Sequence, residues 1–201
     1  MDWVRILKEE GTASPLLVAD EIAKKYDISL PSIRKALGRQ EKRGLVERIT
    51  HKLYLNNLAR DVSPYDLVNV LRPCAYVSLD SALRFWGIST QTTSAITCVS
   101  LGKPREYRTK SIRIVYRTIA EKLLWGFVEK QTFYGKYRLA EPEKAILDWI
   151  YLSLQEGVEP AVDELDLRSI DKQKLVRYAS KYPASVLAFL VRTILLESFA
   201  A

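Results

Sequence analysis

The sequence has a single histidine, His51, and only two cysteines, Cys74 and Cys98. A Ser/His/Asp or Cys/His catalytic arrangement would have to be built on His51, which lies in a short polar tip between two strand-like runs. Two cysteines so far apart make neither a disulfide framework nor a zinc site, and both read as small buried hydrophobes. No GxxxxGK[ST] or GxGxxG loop occurs, so phosphate cradling by glycines has no support. No Asp or Glu is followed two places on by Lys, the pattern expected of a carboxylate–metal nuclease. Glu164 and Asp166 have an acid–x–acid spacing that suits a metal, but they lack a preceding Gly-Ser nucleotide loop. Glu143–Lys144 and Glu121–Lys122 read as a helix cap or surface ion pairs. These absences point away from an enzyme, and we assign no catalytic residue, metal ligand or cofactor. Long apolar runs are missing too. Residues 186–196 are the most apolar stretch, yet Arg192 breaks it and it falls short of the ~20 residues needed to span a bilayer. The opening MDWVRILKEE carries acids where a signal peptide is positive and then apolar. The expectation is a cytoplasmic chain with no membrane partner.

What is present is an ordinary foldable composition. The chain has 201 residues, 48% hydrophobic and 27% charged, with a net charge of +7. That length holds one large domain or two small ones. Trp3, Ile6 and Leu7 set a helical stripe over residues 2–10, with Gly11 as its stop. Ser14 and Pro15 open a second helix through LLVADEIAKKY, in which Leu16, Val18, Ala19, Ile22 and Ala23 are apolar. A third helix opens near Pro31 and runs to Gly44. The period then shortens to two over LVERI and KLYLN, which meet at Thr50-His51-Lys52. Three helices followed by a basic hairpin is the order of a winged helix-turn-helix, assigned to residues 1–58. SPYDLVNVL forms a linker helix within residues 59–73, ended by Pro73. Residues 74–201 read as a mixed α+β domain. Ser78 caps a helix closed by Gly87, and strands cover 95–101 and 112–117. A hairpin over 127–139 turns at Tyr134-Gly135-Lys136. Glu141-Pro142-Glu143 opens a helix, with acids at its positive end. KQKLVRYASKY and ASVLAFLVRTILLES follow as two more. The fold class is α+β.

The third helix carries the chemistry. Spacing puts Ile33, Leu37 and Gln40 on one face, where Ile33 and Leu37 pack toward Ile22 and Leu45. The opposite face gathers Arg34, Lys35, Gly38, Arg39 and Lys42. Four cations around a glycine suit a helix in a DNA major groove, where the glycine allows close approach and the long side chains reach phosphates or guanine edges. Ser32 and Arg34, at the end that enters the groove in helix-turn-helix docking, are the candidates for base readout. Lys42, Arg43, Arg48 and Lys52 are candidates for phosphates. Residues 31–52 hold seven Lys or Arg against two Glu, so most of the net charge sits in about a tenth of the chain. A charge run on an isolated helix is more often a solvated surface; the helix order and the basic hairpin reverse that preference. His51 reads equally as an exposed loop residue or as a contact to the minor groove or backbone.

In the second half, YVSLDSALRFWGI, GKPREYRT and YRLAEPEKAILDWIY, in that order, resemble the AbiEi family, the antitoxin components of type IV toxin–antitoxin systems. The likeness runs from the winged helix to about residue 183, nearly the whole chain, and is carried most specifically by SLDSAL and AEPEKAILD. It implies a winged helix that binds and represses the operon's own promoter, so the expected partner is double-stranded DNA. It also implies a second domain that counters a nucleotidyltransferase-like toxin encoded alongside. Read from the residues alone, these motifs are structural. Leu79, Ala82 and Leu83 pack one helix face, Ile146, Leu147 and Ile150 another, and Trp86, Trp125, Phe127 and Trp149 are core rather than a ligand cage. Lys103, Arg105, Arg108, Lys110, Arg113 and Arg117 form a second basic cluster. It extends a DNA footprint, faces an acidic partner, or is a plain solvated strand pair. The apolar C-terminal run is either buried or a homodimer surface. The expected function is a DNA-binding repressor and autoregulating antitoxin. A ligand-responsive winged-helix regulator is the alternative, with a nucleic-acid enzyme further behind.

Overall fold

The computed structural model describes residues 2–91 and 93–195, apart from the Leu195 side chain. It is mixed α+β, with eight α-helices and two sheets among those residues. Helix α1 (Trp3–Ala13) starts at Asp2, whose carboxylate accepts from the amides of Val4 and Arg5. It does not stop at Gly11. A Cβ there would lie 2.9 Å from Asn56 Nδ2 and 3.1 Å from the Ala59 Cα. Glycine therefore serves close passage of the helix over β3 rather than termination.

Ser14 and Pro15 do not open a helix either. Leu16–Val18 forms strand β1, and α2 begins only at Ala19 and ends at Lys25. After α3 (Leu30–Lys42), strands β2 (Val46–Arg48) and β3 (Leu53–Asn56) complete an antiparallel sheet in the order β1-β3-β2. Both faces of that sheet are used. Leu17 and Tyr54 stand opposite one another and join Leu7, Ile22, Ile33, Leu37 and Val46 in a first core. Leu16 and Leu55, the next pair along, face the other way and belong to a second, larger core. Burial on two faces is what makes this apolar segment a strand, since a helix would turn one of the leucines away from its partner.

The larger core is built on a six-stranded sheet in the order β6-β7-β5-β4-β9-β8. Its strands are β4 (Tyr76–Val77), β5 (Ile96–Ser100), β6 (Arg105–Arg108), β7 (Arg113–Thr118), β8 (Phe127–Gln131) and β9 (Lys136–Ala140). β4 runs parallel to β9 and β5 parallel to β7; the remaining pairs are antiparallel. Each edge is thus a hairpin, β6–β7 on one side and β8–β9 on the other. The segment read as a linker helix is a 3₁₀ turn (Pro64–Leu67) running into α4 (Val68–Leu71), and Leu67 and Val68 are buried in this core. Helices α5 (Leu79–Phe85), α7 (Lys172–Ala179) and α8 (Ala184–Leu190) all pack on α6 (Pro142–Gln155). Ile146, Leu147 and Ile150 are fully buried there, and the four indicated aromatics pack against the same core. The apolar C-terminal run begins as α8, with Val186, Phe189 and Leu190 buried; residues 196–201 lie outside the described part. Cys98 is buried as expected, whereas Cys74 is exposed.

Two sequence expectations change at α6. Ser78 stands at the start of α5, but its hydroxyl caps nothing; it donates to Asp148 Oδ2 at 2.8 Å. Lys144 is not part of a surface pair with Glu143. Glu143 is buried and pairs with Lys174 at 2.9 Å, while Lys144 and Asp148 form a fully buried ion pair one helical turn apart. Lys144 also donates to the hydroxyls of Tyr76 and Tyr182, both at 2.7 Å. Those tyrosines donate to Asp148 at 2.9 and 2.7 Å, so every polar group in the cluster has a partner. Burial pushes both phenols well above their usual range and lowers the Lys144 ammonium against the pull of Asp148. The cluster joins α6 to β4 through Tyr76 and to the α7–α8 connection through Tyr182. Removing one partner leaves the other buried and uncompensated, so Asp148→Ala should cost about 3–5 kcal/mol in urea unfolding. The double substitution Lys144→Met/Asp148→Leu should cost less than Asp148→Ala alone; a cost equal to the two single losses added together would show that the pair is not coupled.

Candidate nucleic-acid interface

Helix α3 is set by its buried face. Ile33 and Leu37 have no exposure, and Ala36 and Gln40 are buried beside them. Ser32, Lys35, Arg39 and Lys42 consequently stand exposed on the other side, with Arg34 and Gly38 partly exposed. A Cβ at Gly38 would meet nothing within 4 Å, so the surface above it is open. Arg43, at the end of the helix, donates to Gln40 Oε1 at 3.1 Å and remains exposed. Ser32 accepts from the Ser29 hydroxyl at 2.8 Å.

The β2–β3 connection extends this surface. Arg48, His51 and Lys52 are exposed, and Thr50 Oγ1 accepts from the amides of Lys52 and Leu53 to shape the turn. The Ala19 amide donates to the Lys52 carbonyl at 2.8 Å, fixing the connection against the start of α2. All ten residues singled out in the sequence thus fall on α3 and its C-terminal end, on the last residue of β2 or on the connection that follows it, none of them fully buried. Among the described residues, Lys35, Arg39, Lys42 and Arg48 have no carboxylate in ion-pair range, so their charge is uncompensated. A helix of this width with free cations on one face can enter a major groove and neutralise flanking phosphates.

The second basic cluster divides. Arg113 is held by Glu106 through two bonds of 2.8 and 3.1 Å, which in turn hold the Glu106 carboxyl below its usual range. Arg117 pairs with Glu156 at the end of α6. Arg105 lies over the Tyr107 ring at 5.0 Å, and Lys103 is exposed. Arg108 and Lys110, at the β6–β7 tip, come against the first unit and line a surface depression with Glu41, Gly44, Glu47 and Arg48. The structure therefore places two of the six beside α3 and commits two others to carboxylates.

Glu47 makes that junction, and sequence reasoning passed over it. Its alternation with Val46 and Arg48 turns it to the Leu55 side of the small sheet, toward the second unit. There its carboxylate accepts from the Lys110 amide at 2.9 Å and from the Ser111 amide and hydroxyl at 3.4 and 3.3 Å. The opposite edge hairpin also reaches across, with the Tyr134 hydroxyl donating to the Gly11 carbonyl at 2.8 Å. Burial opposes ionisation of Glu47, but hydrogen bonds from the Thr109 side chain and from Lys110 and Ser111 outweigh it and hold the carboxyl below its usual range.

Among the described residues no group of three or more His, Cys, Asp or Glu is placed to hold a metal, and no helix is long and apolar enough to cross a membrane. No protein-family model matches the chain, and no curated protein matches it.

The Glu47 junction has a pH signature. Its stabilisation is present above pH 4.5 and is lost as pH falls through the lower folded value. Glu47→Gln should therefore lower Tm by a few degrees at pH 7 and match the parent chain in acid. A Tm difference that stays constant across that range would contradict this assignment.

Proposed function

We propose that this chain binds double-stranded DNA by placing α3 in the major groove, as a winged helix-turn-helix does, with the β2–β3 connection as its wing. The observation that carries this reading is the row of uncompensated cations, Lys35, Arg39 and Lys42, on the face of α3 opposite its buried stripe. Ser32 and Arg34 lie at the N-terminal end, which approaches base edges in helix-turn-helix docking. Lys42, Arg43, Arg48 and Lys52 meet phosphates, with His51 at the wing tip and Arg108 and Lys110 extending the phosphate track. Lys103 and Arg105 are not needed for it.

The biological role we propose is a cytoplasmic repressor of its own promoter, the antitoxin of a type IV toxin–antitoxin pair with a nucleotidyltransferase-like toxin. Support comes from the AbiEi-like motifs, SLDSAL and AEPEKAILD, whose Ser78, Lys144 and Asp148 meet in one buried cluster.

Fluorescence anisotropy on the DNA upstream of the gene, against a scrambled duplex over a salt series, tests the binding. The affinity should fall steeply with salt, and the upstream duplex should bind more tightly. Arg34→Ala should cost about 1–3 kcal/mol on the upstream duplex and relax preference, while Lys52→Ala should weaken both duplexes alike and reduce the salt slope by about 1. Binding that ignores sequence and survives high salt would overturn the proposal.

A further inference from the structure

Asp20 occupies an unusual place in this surface. It lies in the first turn of α2, and its carboxylate stands between Arg34 Nη2 of α3, 4.0 Å away, and Lys52 Nζ of the β2–β3 connection, 3.7 Å away. These are the base-readout cation and the wing cation of the proposed interface, and among the described residues neither pairs with another carboxylate. The distances exceed those of hydrogen bonds and all three side chains are partly exposed, so the carboxylate is a loose electrostatic tether. The Arg34 Nε is buried without a hydrogen-bond partner, which leaves Asp20 as the anion that sets the direction of the guanidinium. The backbone bond from Ala19 to Lys52 keeps the start of α2 and the β2–β3 connection together whatever the Asp20 and Lys52 side chains do.

We propose that Asp20 is a specificity-determining residue of this DNA interface, an inference that rests on the DNA-binding reading above. A duplex that offers Arg34 only phosphates must draw the guanidinium and Lys52 away from Asp20 while bringing phosphate charge close to the carboxylate. Both effects oppose binding. A duplex with a guanine edge in the right place gives Arg34 a bidentate partner that offsets the lost tether, and Asp20 keeps the guanidinium pointed at it. Asp20 thus subtracts more from binding to the wrong sequence than from binding to the right one.

The experiment compares Asp20→Asn with the parent chain on the upstream and scrambled duplexes at one fixed salt concentration. Asp20→Asn should tighten the scrambled duplex and leave the upstream duplex unchanged or weaker, so that the affinity ratio falls roughly five- to tenfold, the size of one lost base contact. Asp20→Glu should restore most of the ratio. Glu21→Gln, which removes an exposed carboxylate one position along the same helix, should tighten both duplexes equally. In an Arg34→Ala background the ratio should no longer respond to Asp20→Asn. An unaltered Tm for Asp20→Asn shows that the fold is intact, and a lowered Tm alongside loss of both affinities would overturn the proposal in favour of a structural role. If both duplexes tighten by the same factor, Asp20 is only a bulk charge and the proposal falls while DNA binding stands. If the parent chain does not distinguish the duplexes at all, the binding reading falls and takes this inference with it.

Discussion

The burial of Ile33, Ala36, Leu37 and Gln40 fixes the rotation of α3, and the rest of the molecule's outward chemistry depends on that setting. A helix has one angular freedom once its axis is placed, and a stripe of apolar residues removes it. Turning α3 by a third of a revolution would expose two large apolar side chains, each worth about 1.5–3 kcal/mol when buried. It would also bring cations into the first core without partners. Lys35, Arg39 and Lys42 point outward because Ile33 and Leu37 cannot.

A second constraint determines where that surface can lie relative to the rest of the chain. The three-stranded sheet is shared between two cores, Leu17 and Tyr54 facing one and Leu16 and Leu55 the other. The hairpins at the two edges of the larger sheet reach the first unit at separate points, Tyr134 at Gly11 and Lys110 with Ser111 at Glu47. Apolar contact in the middle and polar contacts at both sides hold the first unit in one orientation, with the C-terminal end of α3 beside the β6–β7 tip. That arrangement leaves Arg108 and Lys110 beside Arg48 and joins two stretches of positive charge that are far apart in sequence.

Much of this was legible from the residues, and the failures have physical causes. The helical stripe of α3, the change of period after Gly44 and the strand within residues 112–117 all follow from spacing, and all are seen. Strand β1 was not legible because a short apolar run has no period to read; only its two-sided burial tells strand from helix. The role of Gly11 escaped notice because a glycine near a helix end signals a stop as well as a close approach. Lys144 and Asp148 misled in a different way. Lys144 beside Glu143 reads as a helix cap or surface ion pair, and nothing local indicates that Tyr76, Ser78 and Tyr182 arrive from distant parts of the chain to enclose Lys144 with Asp148. Within the candidate interface the cations stand out by charge, but of the carboxylates beside them Glu47 enters the count over residues 31–52 only as a subtraction and Asp20 lies outside it.

Mapping the contact surface in solution tests the central claim most directly. Backbone amide NMR shifts, followed while the upstream duplex is titrated in, should move for residues 32–43 of α3 and its end and 48–52 of the wing, with smaller changes at 108–110. Shifts concentrated on α6, α7 and α8 while α3 stays unmoved would place the DNA elsewhere and contradict the account.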